Sequence, residues 1–113
     1  LSWPGRYKLN IKSLNNNKFD NLTFSEVKKG QFKCLDLAFK ALKMGFNAPT
    51  ILNASNEIAV SKFLENKIKF TDIPVIIEKA LKYVPAKKNS TLSSILASDE
   101  LTREYTKELI KKI

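Results

Sequence analysis

The sequence predicts a mainly α fold: a four-helix, bundle-like domain over residues 31–113, preceded by an extended linker arm with short strands over residues 1–30. Three observations carry that reading. From Phe32 onward apolar residues recur at spacings of three and four, the signature of one helical face meeting a core. Gly45 and Pro85 divide this periodic stretch into segments joined by short loops, and amphipathic helices joined that way pack most economically as an antiparallel bundle. Before Gly30 the periodicity is missing, and Pro4, Gly5 and the run Asn15, Asn16, Asn17 give a polar, irregular text.

Within the arm, Tyr7, Leu9 and Ile11 alternate with lysine and asparagine, and Leu22, Thr23 and Phe24 are strand formers. Strands this short need a partner sheet, so the arm is expected to pack on a part of the protein outside this chain.

The first helix carries Phe32, Leu35, Phe39 and Leu42 on one stripe, with Lys33, Asp36, Lys40 and Lys43 beside it, and Gly45 supplies its stop. Asn47 is a suitable N-cap for a second helix over about Ala48 to Glu65, where Pro49 is tolerated in the first turn. Thr71 is expected to cap a third helix, with Asp72 favouring the positive end of its dipole. Ile73, Ile76, Ile77, Ala80, Leu81 and Val84 complete its apolar face, and Pro85 ends it. After the loop Ala86 to Asn89, Ser90 or Thr91 opens a short turn through Leu96, and Ser98 then caps a last helix bearing Leu101, Tyr105, Leu109 and Ile113.

Composition narrows the function classes. The 113 residues, 43% hydrophobic and 27% charged, suit a folding chain with one modest core. Histidine is absent, which removes the commonest general base and metal ligand, and the single Cys34 lies in an apolar helical stretch where core packing is expected. No apolar run approaches the roughly 18 to 20 residues needed to cross a bilayer. A net charge of +9 raises the alternative of a stand-alone basic helical module for interaction or nucleic-acid binding. The basic residues are overwhelmingly lysine, however, with only Arg6 and Arg103 to make bidentate contacts, so nucleic acid is not the expected partner. Three scattered glycines form no phosphate-cradling loop, and Phe32, Phe39 and Phe63 fall on helix stripes as core residues would.

Polar groups gather on an apolar face in one place, Leu52-Asn53-Ala54-Ser55-Asn56-Glu57. Asn53 and Glu57 share a line with Val60 and Leu64, and Asn56 lies on the adjoining line with Leu52 and Phe63. One reading makes Glu57 a base raised in pKa by burial. The reading preferred here makes Asn53, Asn56 and Glu57 a structural motif whose side chains satisfy backbone groups of a neighbouring loop or of the arm. No second carboxylate stands at helical spacing to complete an acid and base pair or a divalent-metal site.

Pro49-Thr-Ile-Leu-Asn-Ala-Ser-Asn-Glu-Ile-Ala-Val60, Phe63-Leu64 and Ile68-Lys-Phe-Thr-Asp-Ile-Pro74 together resemble the C-terminal signature of the 1-deoxy-D-xylulose 5-phosphate reductoisomerase family. Leu1-Ser-Trp-Pro-Gly-Arg6 resembles its WPxR turn, Leu22-Thr-Phe24 its short linker strand, and Phe32-Lys-Cys-Leu-Asp-Leu-Ala38 its FPCLxLA helix start. Lys33 stands where that family usually has proline, Phe46 where it has a second glycine, and Ser55 where it has alanine. The resemblance implies a C-terminal piece of a V-shaped enzyme, with an NADPH domain and a catalytic domain upstream and a homodimeric whole. It implies the conversion of 1-deoxy-D-xylulose 5-phosphate to 2-C-methyl-D-erythritol 4-phosphate with NADPH and Mg2+ or Mn2+, in isoprenoid precursor synthesis. It places the enzyme in the cytoplasm of a bacterium or in a plastid-type organelle of a eukaryote. The chain opens on Leu1 rather than methionine, in keeping with a fragment, and none of its residues matches the family's catalytic, metal or NADPH positions. The fragment alone is expected to be inactive.

Overall fold

The computed structural model describes residues 3–8, 10, 22–88 and 91–113. Four helices follow in order: α1 (Lys33–Met44), α2 (Ala48–Leu64), α3 (Asp72–Tyr83) and α4 (Leu92–Lys111). The predicted helical class is therefore observed. Leu22, Thr23 and Phe24 form no strand, and the expected Tyr7 to Ile11 piece lies partly outside the described residues. A strand without a second strand to take its hydrogen bonds gains nothing over irregular chain.

The packing departs from a simple antiparallel square. Both α2 and α3 touch the other three helices, α2 the more extensively, whereas α1 and α4 do not meet. Small residues make the contacts of α2 possible: Ala48, Ala54, Ser55 and Ala59 are buried along α2, letting neighbouring backbones approach it closely. Asn47, preceding α2, bonds to Ser98, and Glu57 further along bonds to Arg103, so α2 and α4 pack directly on each other in the same direction, while α3 runs back along α2 to bring Pro85 beside Asn47.

The core is built from Ile51, Ile68, Ile73, Ile76, Ile77, Leu81 and Val84, with Ala41, Ala48, Ala59 and Ala80 filling the spaces between. Each fully enclosed isoleucine contributes about 1.5–3 kcal/mol from its removal from water. The expected face of α3 is thus the buried one. Its start differs: Thr71 is already helical in backbone and its hydroxyl caps nothing, while the Asp72 carboxylate reaches back to accept from the Lys69 N–H at 2.8 Å. At the other end Val84 is extended, as a residue before proline must be, and α3 stops there.

On α1, by contrast, Phe32, Leu35, Phe39 and Leu42 are exposed, and the residue buried is Ala41 with Leu37 partly covered. The expected core stripe faces outward because α1 packs only on α2 and α3, leaving its far side without a neighbour. Cys34 is exposed as well, rather than packed in the core. Gly45 ends α1 at a φ of 66°, and Phe46 follows at 51°, a left-handed backbone that suits glycine better than phenylalanine.

The last helix also departs from expectation. One helix runs unbroken from Leu92, opened by a capping box in which Thr91 and Ser94 bond reciprocally, so Ser98 is interior to it. Its buried line is Ser98, Thr102 and Thr106, with Leu101 and Ile113 exposed and Tyr105 and Leu109 partly buried against the core. Hydroxyls can occupy this line because Thr102 donates to the Ser98 carbonyl and Thr106 to the Thr102 carbonyl, each at 2.7 Å. Tyr105 also stacks on Tyr83 of α3, with ring centroids 3.9 Å apart and planes within 8°.

Candidate functional site

Two polar constellations tie α2 to the rest of the bundle. The first contains the motif singled out in the sequence. Asn53 and Glu57 are four residues apart on one exposed line of α2, and Asn53 Nδ2 donates to Glu57 Oε1 at 3.1 Å. The other carboxylate oxygen accepts from Arg103 Nη2 of α4 at 2.6 Å, and Arg103 also pairs with Asp99 one turn earlier on its own helix. The result is a four-membered surface network, Asn53, Glu57, Arg103 and Asp99, bridging two parallel helices. Asn56, half-buried on the adjoining line, is not part of it.

Asn53 and Glu57 therefore have partners, but these are side chains at the surface and not the backbone of a loop or the arm. The apolar residues on their line explain the difference: Val60 and Leu64 are themselves exposed, so the whole line faces outward. Arg103 was not evident from sequence as a partner. Its spacing of four from Asp99 was visible, but nothing local points to a residue 46 positions away.

The electrostatics argue against Glu57 as a general base. Hydrogen bonding from Arg103, then from Asn53, holds its carboxyl below the usual range, while the bonds to Asp99 first and to Glu57 second hold the Arg103 guanidinium above its own. A base for proton abstraction near neutral pH needs the opposite shift. A carboxylate whose pKa is depressed on folding stabilises the fold above the unfolded value, near 4.3, and loses that contribution as pH falls through the folded value. Glu57→Gln is accordingly expected to lower the Tm slightly at pH 7, with the gap from the parent closing as the pH drops below about 4. Melting curves across pH 7 to 3 check this, and a gap that widens in acid would contradict it.

The second constellation centres on Asn47, which is 1% exposed. It occupies the position before α2 but its side chain makes no capping bond. Nδ2 instead donates to the Pro85 carbonyl at 2.9 Å and to Ser98 Oγ at 3.4 Å, while Oδ1 accepts from the Lys87 N–H at 2.9 Å. One amide thus holds the α3 to α4 connection against the start of α2. Its partners lie 38 to 51 residues away, beyond the reach of any local pattern.

Neither constellation resembles a catalytic centre. Among the described residues no group of three or more histidines, cysteines, aspartates and glutamates is placed to hold a metal ion. Although Cys34 is exposed, partial desolvation by the atoms around it pushes its thiol up from the ordinary pKa, which favours the unreactive protonated form. Among the described residues, no helix is long and apolar enough to cross a membrane.

Comparison with known proteins identifies the family of the bundle. A family model described as the DXP reductoisomerase C-terminal domain matches residues 1–105. The 1-deoxy-D-xylulose 5-phosphate reductoisomerase of Shewanella piezotolerans is 41% identical over 113 residues, which is 100% of this chain and 28% of that protein. The Clostridium tetani reductoisomerase is 43% identical over 108 residues, 96% of this chain and 28% of its own length. Among solved structures, the Zymomonas mobilis reductoisomerase in complex with NADPH superposes with a TM-score of 0.85 at 36% identity, covering 99% of this chain and 30% of that one. A DOX-P reductoisomerase in complex with NADPH, fosmidomycin and magnesium gives a TM-score of 0.73 at 33% identity, over 97% of this chain and 29% of its own. The chain spans about three tenths of the length of these relatives. Matched in sequence and in fold from its arm through most of α4, it belongs to the family of DXP reductoisomerase C-terminal domains.

Proposed function

We propose that this chain is the C-terminal part of an NADPH- and divalent-metal-dependent reductoisomerase that converts 1-deoxy-D-xylulose 5-phosphate to 2-C-methyl-D-erythritol 4-phosphate, a step in making isoprenoid precursors. The observation that carries the reading is the match of sequence and fold over nearly the whole chain to one end of such enzymes. The helical domain, residues 31–113, braces the catalytic part of the enzyme, and the arm, residues 1–30, connects the two. Short strands in the arm form there against a sheet of the upstream polypeptide. The whole enzyme works as a homodimer, in the cytoplasm if its source is bacterial, and without a nucleic-acid partner.

Asn53, Asn56 and Glu57 are structural in this reading, and catalytic, cofactor and metal residues lie elsewhere in the polypeptide. The described residues do not fit either group: they contain no metal-ligating cluster, and the scattered glycines offer no nucleotide loop. The basic charge alone speaks for a stand-alone binding module, and it needs no such role, since lysines spread over a solvated surface account for it.

The test is turnover. The full-length polypeptide with Mg2+ should oxidise NADPH, followed at 340 nm, only when 1-deoxy-D-xylulose 5-phosphate is added, whereas the 113-residue chain should not. A full-length protein that folds and binds NADPH yet leaves this substrate untouched would overturn the reading.

A further inference from the structure

The outward face of α1 is apolar and uncovered. Phe39 is 59% exposed, Leu42 71% and Phe32 54%, and Phe24 of the arm stands 90% exposed nearby in sequence. Between arm and helix lies an open groove of about 890 Å³ whose apolar lining includes Val27, Leu35, Phe39 and Met44. Four lysines also line it, among them Lys40 and Lys43, against one carboxylate, Asp36. Contiguous apolar surface rimmed by charge of one sign marks a contact site, and the rim specifies the sign of its occupant.

We propose that this groove seats a segment of the same polypeptide from the part preceding this chain, presenting apolar side chains to Phe39 and Leu35 and carboxylates to Lys40 and Lys43. The proposal rests on the functional reading above and names the contact through which the helical domain braces the enzyme. Two observations select this occupant. The chain spans 28% of the Shewanella reductoisomerase, so the larger part of such a polypeptide is available to cover the groove in cis. The lysine rim disfavours a second copy laid groove to groove, because that would bring like charges together.

Zero-length carbodiimide coupling, which joins amines to carboxylates in contact, tests this on the full-length protein prepared as an equimolar mixture of 14N and 15N copies. Lys40 or Lys43 should couple to an aspartate or glutamate upstream of this chain, with both linked peptides carrying the same isotope. Phe39→Asp should reduce that coupling by about tenfold, while the exposed pair Lys62 and Glu65 couples unchanged as a reference. Links that mix isotopes would mean a second copy occupies the groove, and would overturn the proposal. So would coupling of these lysines only to carboxylates within residues 1–113, or coupling indifferent to Phe39→Asp. Turnover assayed on the same samples separates the two readings. Normal turnover without the coupling sinks the groove proposal alone, and the coupling without turnover sinks the enzymatic reading alone.

Discussion

Ile76→Ala is expected to lower the stability of the 113-residue chain by about 4 kcal/mol, towards the upper end of the range for isoleucine truncation in a core. Ile76 is completely buried, and it sits in the middle of α3 among Ile73, Ile77 and Ala80, where the helix meets α2. The lost transfer energy of the removed carbons is only part of the cost. The void left behind is walled by other isoleucines on rigid helices, which close around it only partly. Because small domains hold only about 5–15 kcal/mol in total, this one change removes a large share. Urea unfolding measures it, with Val75→Ala as a control: Val75 is on the same helix but 44% exposed, and its truncation should cost about 0.5 kcal/mol or less. Equal effects at the two positions would show that α3 is not seated as described.

The second large effect is expected at Asn47. Replacing it by alanine removes three hydrogen bonds at once and leaves the Lys87 N–H and the Pro85 carbonyl without the partner that holds them. The expected cost is about 2–3 kcal/mol, or a Tm lower by roughly 10–20 °C for a domain of this size. Asn47→Asp discriminates the mechanism. If the residue acted as a helix cap, aspartate would replace it without loss, since both side chains cap well. As a clasp it must donate to the Pro85 carbonyl, which a carboxylate cannot do, so Asp should destabilise about as much as Ala. An Asp variant with the parent's Tm would return Asn47 to the capping role that its sequence position suggested.

The contrast between α1 and α3 shows how far the pattern of residues could be read. Both helices have an apolar stripe at helical spacing. In α3 the stripe is the core face, and Ile73, Ile76, Ile77 and Leu81 are buried as the spacing implies. In α1 a stripe of equal quality, Phe32, Leu35, Phe39 and Leu42, is turned outward while Ala41 meets the bundle. Periodicity states that a face is apolar; it does not state which neighbour covers it. On α4 the error runs the other way, since Ser98, Thr102 and Thr106 are buried although their residue types suggest a solvated line. Their hydroxyls bond within α4 itself, or to Asn47 in the case of Ser98, so burial leaves no polar group unsatisfied.

The sequence by itself determined what depends on neighbours within a turn or two. That covers the four helices, the stops at Gly45 and Pro85, the apolar face of α3, and the run of residues around Leu52-Asn53-Ala54-Ser55-Asn56-Glu57 by which the family is recognised. Helix formation and termination are set by backbone dihedrals, caps and i to i+4 spacing, all of which are written locally. Only the tertiary structure decided that α2 packs most extensively on the other helices, that Asn47 clasps the α3 to α4 connection, and that Glu57 answers to Arg103. Those outcomes depend on which helices approach one another and in which direction. They are fixed by the shape of small residues along α2 and by hydrogen bonds between groups some 40 to 50 positions apart, where local spacing carries no information.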